Sequence, residues 1–532
     1  MKNKKLQVWL PLIFSVVMIA GMFFGFRLHQ ENGSPNSFFK KDRSTSLQEA
    51  LDIIKDRYVD KVGLDSLQDD AINEVMNHLD PHSLYIPASD VSSANEDLVG
   101  NFEGIGLAFN IFEDTVHVLY VVPNSPSDKA GLQIGDKVIK VNNVSIVSKT
   151  MPSQEIRKMM RGKGGTRVKL TVIRGTTTQY YDVIRVTIPL PALDAAYMMD
   201  ATTGYIKLNK FSETTYSEFM DSMDSLLKQG MKKLILDIRH NGGGFIKQAV
   251  DIADEFLDGD KLIVYTEGAN VRREDYRARR TGSFEKGKLV VIVDESTASA
   301  SEILAGALQD WDRGTIVGRR TYGKGLVQNQ FDLSDGSMIR LTIARYYTPS
   351  GRSIQRPYDK GRKEYLQEIT ERYENGEMFN ADSIHYLKNQ KVYKTMEQHR
   401  TVYGGGGIVP DVFVPVDTSI VTHSVNRLYL DGRFDNFVYK YYIDNRNQFN
   451  QYKNPADFAA RYQNSADAWD QLVAYALKDN INLKNIPEKD KVILQDQIKA
   501  YLARLKWRTQ GYYQVYNNYD PEVIKAREVL RN

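Results

Sequence analysis

The chain has 532 residues, a formal net charge of +3, 42% hydrophobic residues and no cysteine. Its length exceeds what one hydrophobic core supports, so we expect several domains. A net charge this small gives no electrostatic argument for nucleic acid as a partner. The lack of cysteine excludes disulfides, thiolate metal sites and a cysteine nucleophile.

The N-terminus predicts a membrane anchor. A basic start, Met1-Lys-Asn-Lys-Lys5, precedes an uncharged stretch from Leu6 to Phe26, which is about the length of a bilayer-spanning helix. The lysines should stay in the cytoplasm, which places the rest of the chain in the periplasm or outside the cytoplasm. Since no small-residue cleavage site follows, residues 1–28 are interpreted as an uncleaved single-pass anchor in the inner (cytoplasmic) membrane, with a cleaved signal as the alternative. Residues 29–44 are polar, contain Gly and Pro, and are interpreted as a linker.

Two segments with different periodicity follow. Residues 45–98 have apolar residues at helical spacing, and residues 99–188 contain short β-type runs. The second segment resembles a PDZ domain through the phrase Pro-x-x-x-Ala-Gly-Leu-x-x-Gly-Asp-x-Val, matched by Pro126, Ala130, Gly131, Leu132, Gly135, Asp136 and Val138. PDZ domains bind an extended C-terminal tail as an added strand. The resemblance places the carboxylate-binding loop at Phe102, Gly104, Ile105 and Gly106.

Strand and helix patterns alternate across residues 189–417, which predicts an α/β core. The runs Lys233–Ile238 and Lys288–Val293 are almost entirely apolar, as strands buried on both faces are. Helical periodicity covers Phe245–Leu257 and Ala298–Trp311. Residues 362–407 are charged and Tyr-rich and are interpreted as an insertion, and residues 418–532 as a helical extension to which no chemistry is assigned.

A serine, a lysine and a glutamine form the candidate catalytic set. Ser299 opens the second of these helices, Lys324 lies between two glycines, and Gln328 follows four residues later. A serine hydroxyl needs a neighbouring proton acceptor, and a lysine serves as one when burial keeps its amine neutral. Gln328 returns to the same side of the chain as Lys324 and can hold the amine by a hydrogen bond.

Backbone amides near Ser299 are candidates for an oxyanion hole. The amide of Ala300 lies at the positive end of a helix. A second donor is expected from the glycine loop after the first core strand, at Gly242 or Gly243. The loop lacks the spacing of nucleotide-binding glycine motifs, so a phosphate site is the poorer interpretation.

Several other side chains are alternatives to this set. His240 borders the glycine loop and is the alternative base. Asp310 lies eleven residues after Ser299, about 16 Å along a helix, and is interpreted as structural. No histidine pair has metal-ligand spacing, so neither a metal nor a cofactor is expected.

Together these motifs resemble one family, the carboxyl-terminal processing proteases, which are PDZ-containing serine/lysine peptidases also called tail-specific proteases. The match covers roughly Leu47 to Val414, and further phrases that carry it are Leu79-Asp-Pro-His-Ser83, Thr321-Tyr-Gly-Lys-Gly325, Ala344-Arg-Tyr-Tyr-Thr-Pro-Ser-Gly-Arg352 and Gly407-Ile-Val-Pro-Asp411. The resemblance implies a multidomain fold: a crotonase/Clp-like α/β peptidase core, an inserted PDZ domain and helical terminal segments. It also implies Ser299 as nucleophile, Lys324 as general base and Gln328 as the group that orients the lysine.

The predicted function is an envelope serine endopeptidase that cleaves proteins recognised by their apolar C-terminal tails. An adaptor protein or a second copy of the chain is an open further partner. The main alternative is a catalytically silent PDZ scaffold that binds protein C-termini without cleavage. A penicillin-recognising enzyme is a weaker alternative, because the S-x-x-K matches lack the accompanying motifs of that class.

Overall fold

The computed structural model describes residues 14–22, 46–112, 114–147, 151–383, 391–417, 422–463 and 465–531. The chain divides into two compact units, Met1–Val75 and Met76–Asn532. Residues 14–22 of the first unit are helical, and two further helices follow, α1 (Ser46–Arg57) and α2 (Leu64–Asn77). The helical segment predicted after residue 45 therefore forms.

The predicted anchor, Leu6 to Phe26, lies mostly outside the described residues. Within the described part of the chain, no helix combines the length and the apolar character that crossing a bilayer requires. The membrane anchor therefore stays a prediction.

The second unit begins with the end of the segment predicted to be helical, which contains a short strand, β1 (Leu84–Ile86), besides the helix α3 (Val91–Val99). The β-rich segment predicted at residues 99–188 follows. Its elements are β2 (Asn101–Gly104), β3 (Leu107–Phe112), β4 (Thr115–Val121), α4 (Pro126–Lys129), β5 (Lys137–Val141), β6 (Val144–Ser145), α5 (Ser153–Met160), β7 (Arg167–Arg174), β8 (Thr177–Ile184) and β9 (Val186–Pro189). Five strands form an antiparallel sheet in the order β3-β4-β5-β7-β8, with β6 beside β5, and β2 pairs with β9. Alternate residues of β7, namely Val168, Leu170 and Val172, are buried, which explains the two-residue periodicity.

The predicted α/β core and the charged segment interpreted as an insertion follow. Their elements are β10 (Leu193–Met198), β11 (Thr203–Leu208), α6 (Thr215–Lys228), β12 (Lys233–Asp237), α7 (Ile246–Asp254), β13 (Leu262–Glu267), β14 (Glu274–Arg277), β15 (Lys288–Val293), α8 (Ala300–Asp310), β16 (Thr315–Gly318), β17 (Leu326–Asp332), β18 (Met338–Tyr347), α9 (Arg362–Glu374), a 3-10 turn (Ala381–Ser383), β19 (Val392–Lys394), β20 (Thr401–Tyr403) and β21 (Val412–Phe413). The predicted strands and helices of the core all appear, with ends shifted by at most three residues.

The central sheet has the order β10-β11-β12-β15-β16-β21 and is parallel except for β10. Its middle strands are buried on both faces: Leu236 and Val291 pack into one hydrophobic cluster, and Ile235 and Val290 into the other. Both β12 and β15 end at the carboxyl edge of the sheet, where ligands bind in open α/β sheets. The glycine loop and the start of α8 leave the sheet at this edge.

A second sheet carries the residues that follow Lys324. Its order is β1-β18-β13-β14, and β17 pairs antiparallel with β18. The register shifts between Val327 and Gln328, so the strand is irregular where the glutamine projects. Strand β1 follows the Leu79-Asp-Pro-His-Ser83 phrase and pairs with β18, which brings that phrase close to β17.

The C-terminal extension is helical, as predicted. Its helices are α10 (His423–Leu430), α11 (Arg433–Asp444), α12 (Arg446–Phe449), α13 (Pro455–Arg461), α14 (Ser465–Leu477), α15 (Glu488–Tyr516) and α16 (Pro521–Arg531). They share an aromatic-rich core of their own, and α15 is kinked at Trp507 and Arg508. Helix α16 packs Val523, Ala526 and Leu530 against the central sheet. The predicted architecture is confirmed: an α/β core, a β-rich domain before it and helical segments at both ends.

Candidate active site

The glycine loop packs directly against the start of α8. Gly243 has φ +96°, and a Cβ atom there would lie 2.8 Å from Ser299 Cβ and 2.9 Å from the Ala300 nitrogen. The buried Asn241 joins the two segments, because its carbonyl oxygen accepts hydrogen bonds from the Ala298 amide (3.0 Å) and the Ser301 hydroxyl (2.9 Å). Only glycine fits this approach, which explains the residue type at position 243.

The predicted oxyanion donors differ in whether their amides already have a hydrogen-bond acceptor. The Gly243 amide donates to Asn241 Oδ1 at 2.9 Å, so it is already satisfied. Ala300 is the first residue of α8, and its amide therefore has no acceptor within the helix. A Cβ at Gly242 would meet no atom within 4 Å, so this residue faces open space.

Ser299 has a backbone conformation that is rare for a residue with a side chain. Its φ and ψ are 57° and −118°, and the residue is half-buried at the N-cap of α8. Such conformations cost about 1–3 kcal/mol and persist where the surrounding structure enforces them. Here the Ser299 amide donates to Glu302 Oε2 at 2.9 Å, which holds the strained turn in place.

Glu302 joins the serine segment to the lysine segment. Its side chain is completely buried and accepts hydrogen bonds from the amides of Lys324 (2.9 Å) and Gly323 (2.7 Å) and from the Thr321 hydroxyl, besides the bond from Ser299. Burial raises the pKa of this carboxyl group, and the four hydrogen bonds oppose that rise. One carboxylate thus fixes the backbone of both Ser299 and Lys324.

Tyr346 joins the same two residues at their carbonyl groups. Its buried hydroxyl lies 3.1 Å from the Ser299 carbonyl oxygen and 2.8 Å from that of Lys324. The amides are held by Glu302 and the carbonyls by Tyr346. The relative position of the two candidate catalytic residues is therefore set by side chains from α8 and β18.

The amine of Lys324 lies in an environment that favours its neutral form. Burial, followed by the nearby Arg340 guanidinium, lowers the pKa of Lys324 to about 8. The amine donates to Gln328 Oε1 at 2.9 Å, and Gln328 Nε2 donates to the His82 carbonyl oxygen at 2.5 Å. Among the hydrogen bonds formed by the described residues, none joins Lys324 Nζ to Ser299 Oγ. Catalytic hydrogen bonds are often long before substrate binds.

The alternative candidates are engaged elsewhere. His240 Nδ1 pairs with Asp294 at 2.7 Å, and its side chain is 72% exposed. That hydrogen bond is the main reason why the pKa of His240 is raised. Asp310 is buried and pairs with Arg352 at 2.7 Å, in agreement with a structural role. Within the described ranges, no group of His, Asp and Glu has the arrangement of a metal site.

A cavity of about 320 Å³ lies beside the predicted tail-binding loop. Three of the four predicted residues, Phe102, Ile105 and Gly106, line it, whereas Gly104 pairs with Val186 in β2 and β9. Helix α5 supplies Met160 to the same cavity. Further lining residues are Leu107, Phe109, Arg161 and Arg508. The last of these comes from the kink of α15, so the C-terminal extension reaches the PDZ groove.

Sequence reasoning missed several residues of this site. Glu302 stands three residues after Ser299 in the S-x-x-E spacing of a capping box, so a local signal for it was present. His82 and Tyr346 lie in phrases that carry the family resemblance, and Asn241 directly precedes the glycines, but no local pattern indicated what these three residues bind. Their roles depend on contacts between segments that are far apart in the chain.

Three stretches of the chain match models of protein families. Residues 202–360, which include Ser299, Lys324 and Gln328, match the model of peptidase family S41, and residues 117–174 match a PDZ domain. Residues 424–508 match a family of unknown function, DUF8443. The chain therefore has the two modules that its motifs predicted.

Similar proteins are carboxy-terminal processing proteases. The chain is 33% identical over 397 residues to the carboxy-terminal processing protease CtpA of Bacillus subtilis, a match that covers 74% of this chain and 82% of that protein. It is 31% identical over 399 residues to a probable CtpA-like serine protease of Staphylococcus aureus, covering 74% and 75%. The solved photosystem II D1 C-terminal processing protease aligns over 71% of this chain and 87% of that chain, with 26% identity and a TM-score of 0.36.

The fold and the site define a serine peptidase with a PDZ domain. The chain belongs to peptidase family S41, among the carboxy-terminal processing proteases. The resemblance inferred from the motifs is thereby confirmed.

Proposed function

We propose that the protein is an endopeptidase in which Ser299 is the nucleophile, Lys324 the general base and Gln328 the residue that orients the lysine. The observation that carries this proposal is the double bridge between the two residues: Glu302 binds both amides and Tyr346 both carbonyls. A lysine with only a structural role would not require that its backbone be held at a fixed position relative to that of Ser299. The pKa of about 8 supports the same role.

The lowered pKa provides usable base at neutral pH. With a pKa of 8, about one amine in ten is neutral at pH 7, against about one in 3,000 for an unperturbed lysine. In the proposed mechanism the neutral amine takes the Ser299 proton while Oγ attacks the scissile carbonyl carbon. The ammonium then gives that proton to the leaving amine. Water, deprotonated by the lysine, then attacks the carbonyl carbon of the resulting ester. The bond from that carbon to Oγ breaks, the lysine returns the proton to Oγ, and the N-terminal fragment leaves as a carboxylic acid.

The oxyanion of each tetrahedral intermediate would be bound by backbone amides. Ala300 supplies the amide at the positive end of α8. The second donor comes from Gly242 or Gly243. For Gly243 to be that donor, its amide would first have to release Asn241 Oδ1.

The proposed substrates are proteins with apolar C-termini. The tail would pair with β3, which stands at the end of the strand order among the described residues. Its last side chain would enter the cavity beside Ile105, Leu107 and Met160. These apolar side chains favour an apolar residue. We place the enzyme in the envelope, with the catalytic part outside the cytoplasm and the N-terminal segment as its anchor.

The test uses the purified protein and a reporter protein that ends in an apolar tail. We expect cleavage by the wild type, no cleavage by Ser299→Ala or Lys324→Ala, and unchanged melting temperatures within a few degrees. Gln328→Ala should be slowed rather than inactive, since it orients the base without transferring a proton. Full activity of folded Lys324→Ala would refute the mechanism, and tail binding without cleavage by the wild type would favour the scaffold alternative.

A further inference from the structure

The insertion begins with a helix that packs on the catalytic lysine loop. Arg372 of α9 is 2% exposed and donates to the carbonyl oxygens of Thr321 (2.8 Å), Arg320 (3.2 Å) and Tyr322 (3.4 Å). These three residues immediately precede Gly323 and Lys324. A buried guanidinium with so many bonds to one short loop restricts how that loop moves.

A second residue of the same helix contacts His82, whose carbonyl group binds the side chain that holds Lys324. The Tyr365 hydroxyl lies 2.8 Å from His82 Nε2, and the Tyr365 side chain is 2% exposed. One face of its ring packs against Arg356, whose guanidinium carbon is 3.9 Å from the ring centre and 4.0 Å from that of Tyr322. Tyr365 therefore lies between His82 and the loop that precedes Lys324.

His82 connects this contact to the amine. Its amide donates to Asp80 Oδ1 at 2.8 Å, and its carbonyl oxygen accepts from Gln328, which in turn holds Lys324 Nζ. Burial, followed by the nearby Lys324 charge, lowers the pKa of His82 to about 3, and burial raises the pKa of Tyr365 to about 12. Both groups are therefore neutral at working pH, and their hydrogen bond does not change with protonation in that range.

We propose that Tyr365 is a positioning residue for the lysine base: it anchors His82, whose carbonyl orients Gln328 and through it the Lys324 amine. The insertion helix α9, which the family motifs do not include, then forms the outer layer of support for the catalytic site. This inference rests on the proposed role of Lys324. Simple packing of Tyr365 is the competing explanation, and the hydroxyl group distinguishes the two.

The experiment compares Tyr365→Phe with wild type in the full-length protein. The substitution keeps the ring over Arg356 and removes the hydroxyl. The hydroxyl also lies 3.5 Å from Gln355 Nε2, a much longer contact than the one to His82. We expect kcat to fall about three- to tenfold with KM unchanged, which is the range for loss of the short hydrogen bond to His82. The matched control is Tyr373→Phe on the same helix, whose side chain is 54% exposed and should leave both constants unchanged.

The pH profile provides a readout that packing alone would not move. Gln328 Oε1 stabilises the ammonium, so a looser Gln328 should shift the acidic limb of kcat/KM to lower pH. The charged groups that face Lys324 (Arg340, Asp80 and Glu302) are unchanged in the variant, so the shift reports the Gln328 contact.

A double-mutant cycle completes the test. His82→Phe keeps the carbonyl and removes Nε2, so it should reproduce the loss, and the double variant should be no slower than either single variant. The inference would be overturned if Tyr365→Phe had the kcat and the acidic limb of the wild type, or if the losses in the cycle were fully additive. In either case an inactive Lys324→Ala would leave the proposed function standing. An active Lys324→Ala would overturn both.

Discussion

Replacing Glu302 with glutamine should damage both stability and catalysis. The carboxylate accepts four hydrogen bonds, two at each oxygen: Thr321 and Gly323 at Oε1, and Ser299 and Lys324 at Oε2. Glutamine offers one acceptor oxygen, and its amide group would face two of the four donors. At about 1–3 kcal/mol for each buried donor left without an acceptor, the free energy of unfolding should fall by about 2–6 kcal/mol.

Two assays measure this effect. Thermal unfolding should show a melting temperature lower by about 5–20 °C, the range that such a loss produces in a domain of this size. At a temperature where the variant is folded, kcat should fall about 100-fold, because small displacements of catalytic groups have effects of that order. Glu371→Gln on the exposed face of α9 is the matched control. A Glu302→Gln variant with a melting temperature within 2 °C of wild type and kcat within about twofold would refute the bridging role.

Two further predictions concern the base and the tail-binding cavity. Lys324 must be neutral to accept a proton, and its pKa is lowered to about 8. We therefore expect kcat/KM to rise about tenfold per pH unit below pH 8 and to level off above it. If the rise levelled off near pH 6.5, the base would instead be a histidine. Arg508→Ala removes the guanidinium that α15 contributes to the cavity and should weaken binding of a tail peptide several-fold in a fluorescence titration, whereas Arg446→Ala, on the same helical extension, should not. Equal affinities for the two variants would show that the extension takes no part in tail binding.

Local patterns were sufficient for much of the architecture. The apolar runs of β12 and β15, the alternation in β7 and the glycines of the tail-binding phrase each depend on residues close together in the chain. Their elements appear with ends shifted by at most three residues. The candidate nucleophile and base could be selected because each stands in an unusual local context. Ser299 stands among small residues at the start of a helix, and Lys324 stands between two glycines.

The support of the site could not be derived in this way. Glu302 had a local signal, but its bonds to Gly323 and Lys324 depend on how α8 packs beside the lysine loop. The contact between Tyr365 and His82 spans 283 positions of sequence. A hydrogen bond across such a separation leaves no periodicity in the chain.

The sequence by itself determined the strands, the helices, the family and the candidate catalytic residues, since each depends on neighbouring side chains or short motifs. Only the tertiary structure decided which buried groups hold Ser299 and Lys324 in register, and that α16 covers the central sheet and α9 the lysine loop. The physical reason is that buried polar groups need partners, and the fold alone determines which distant residue supplies them.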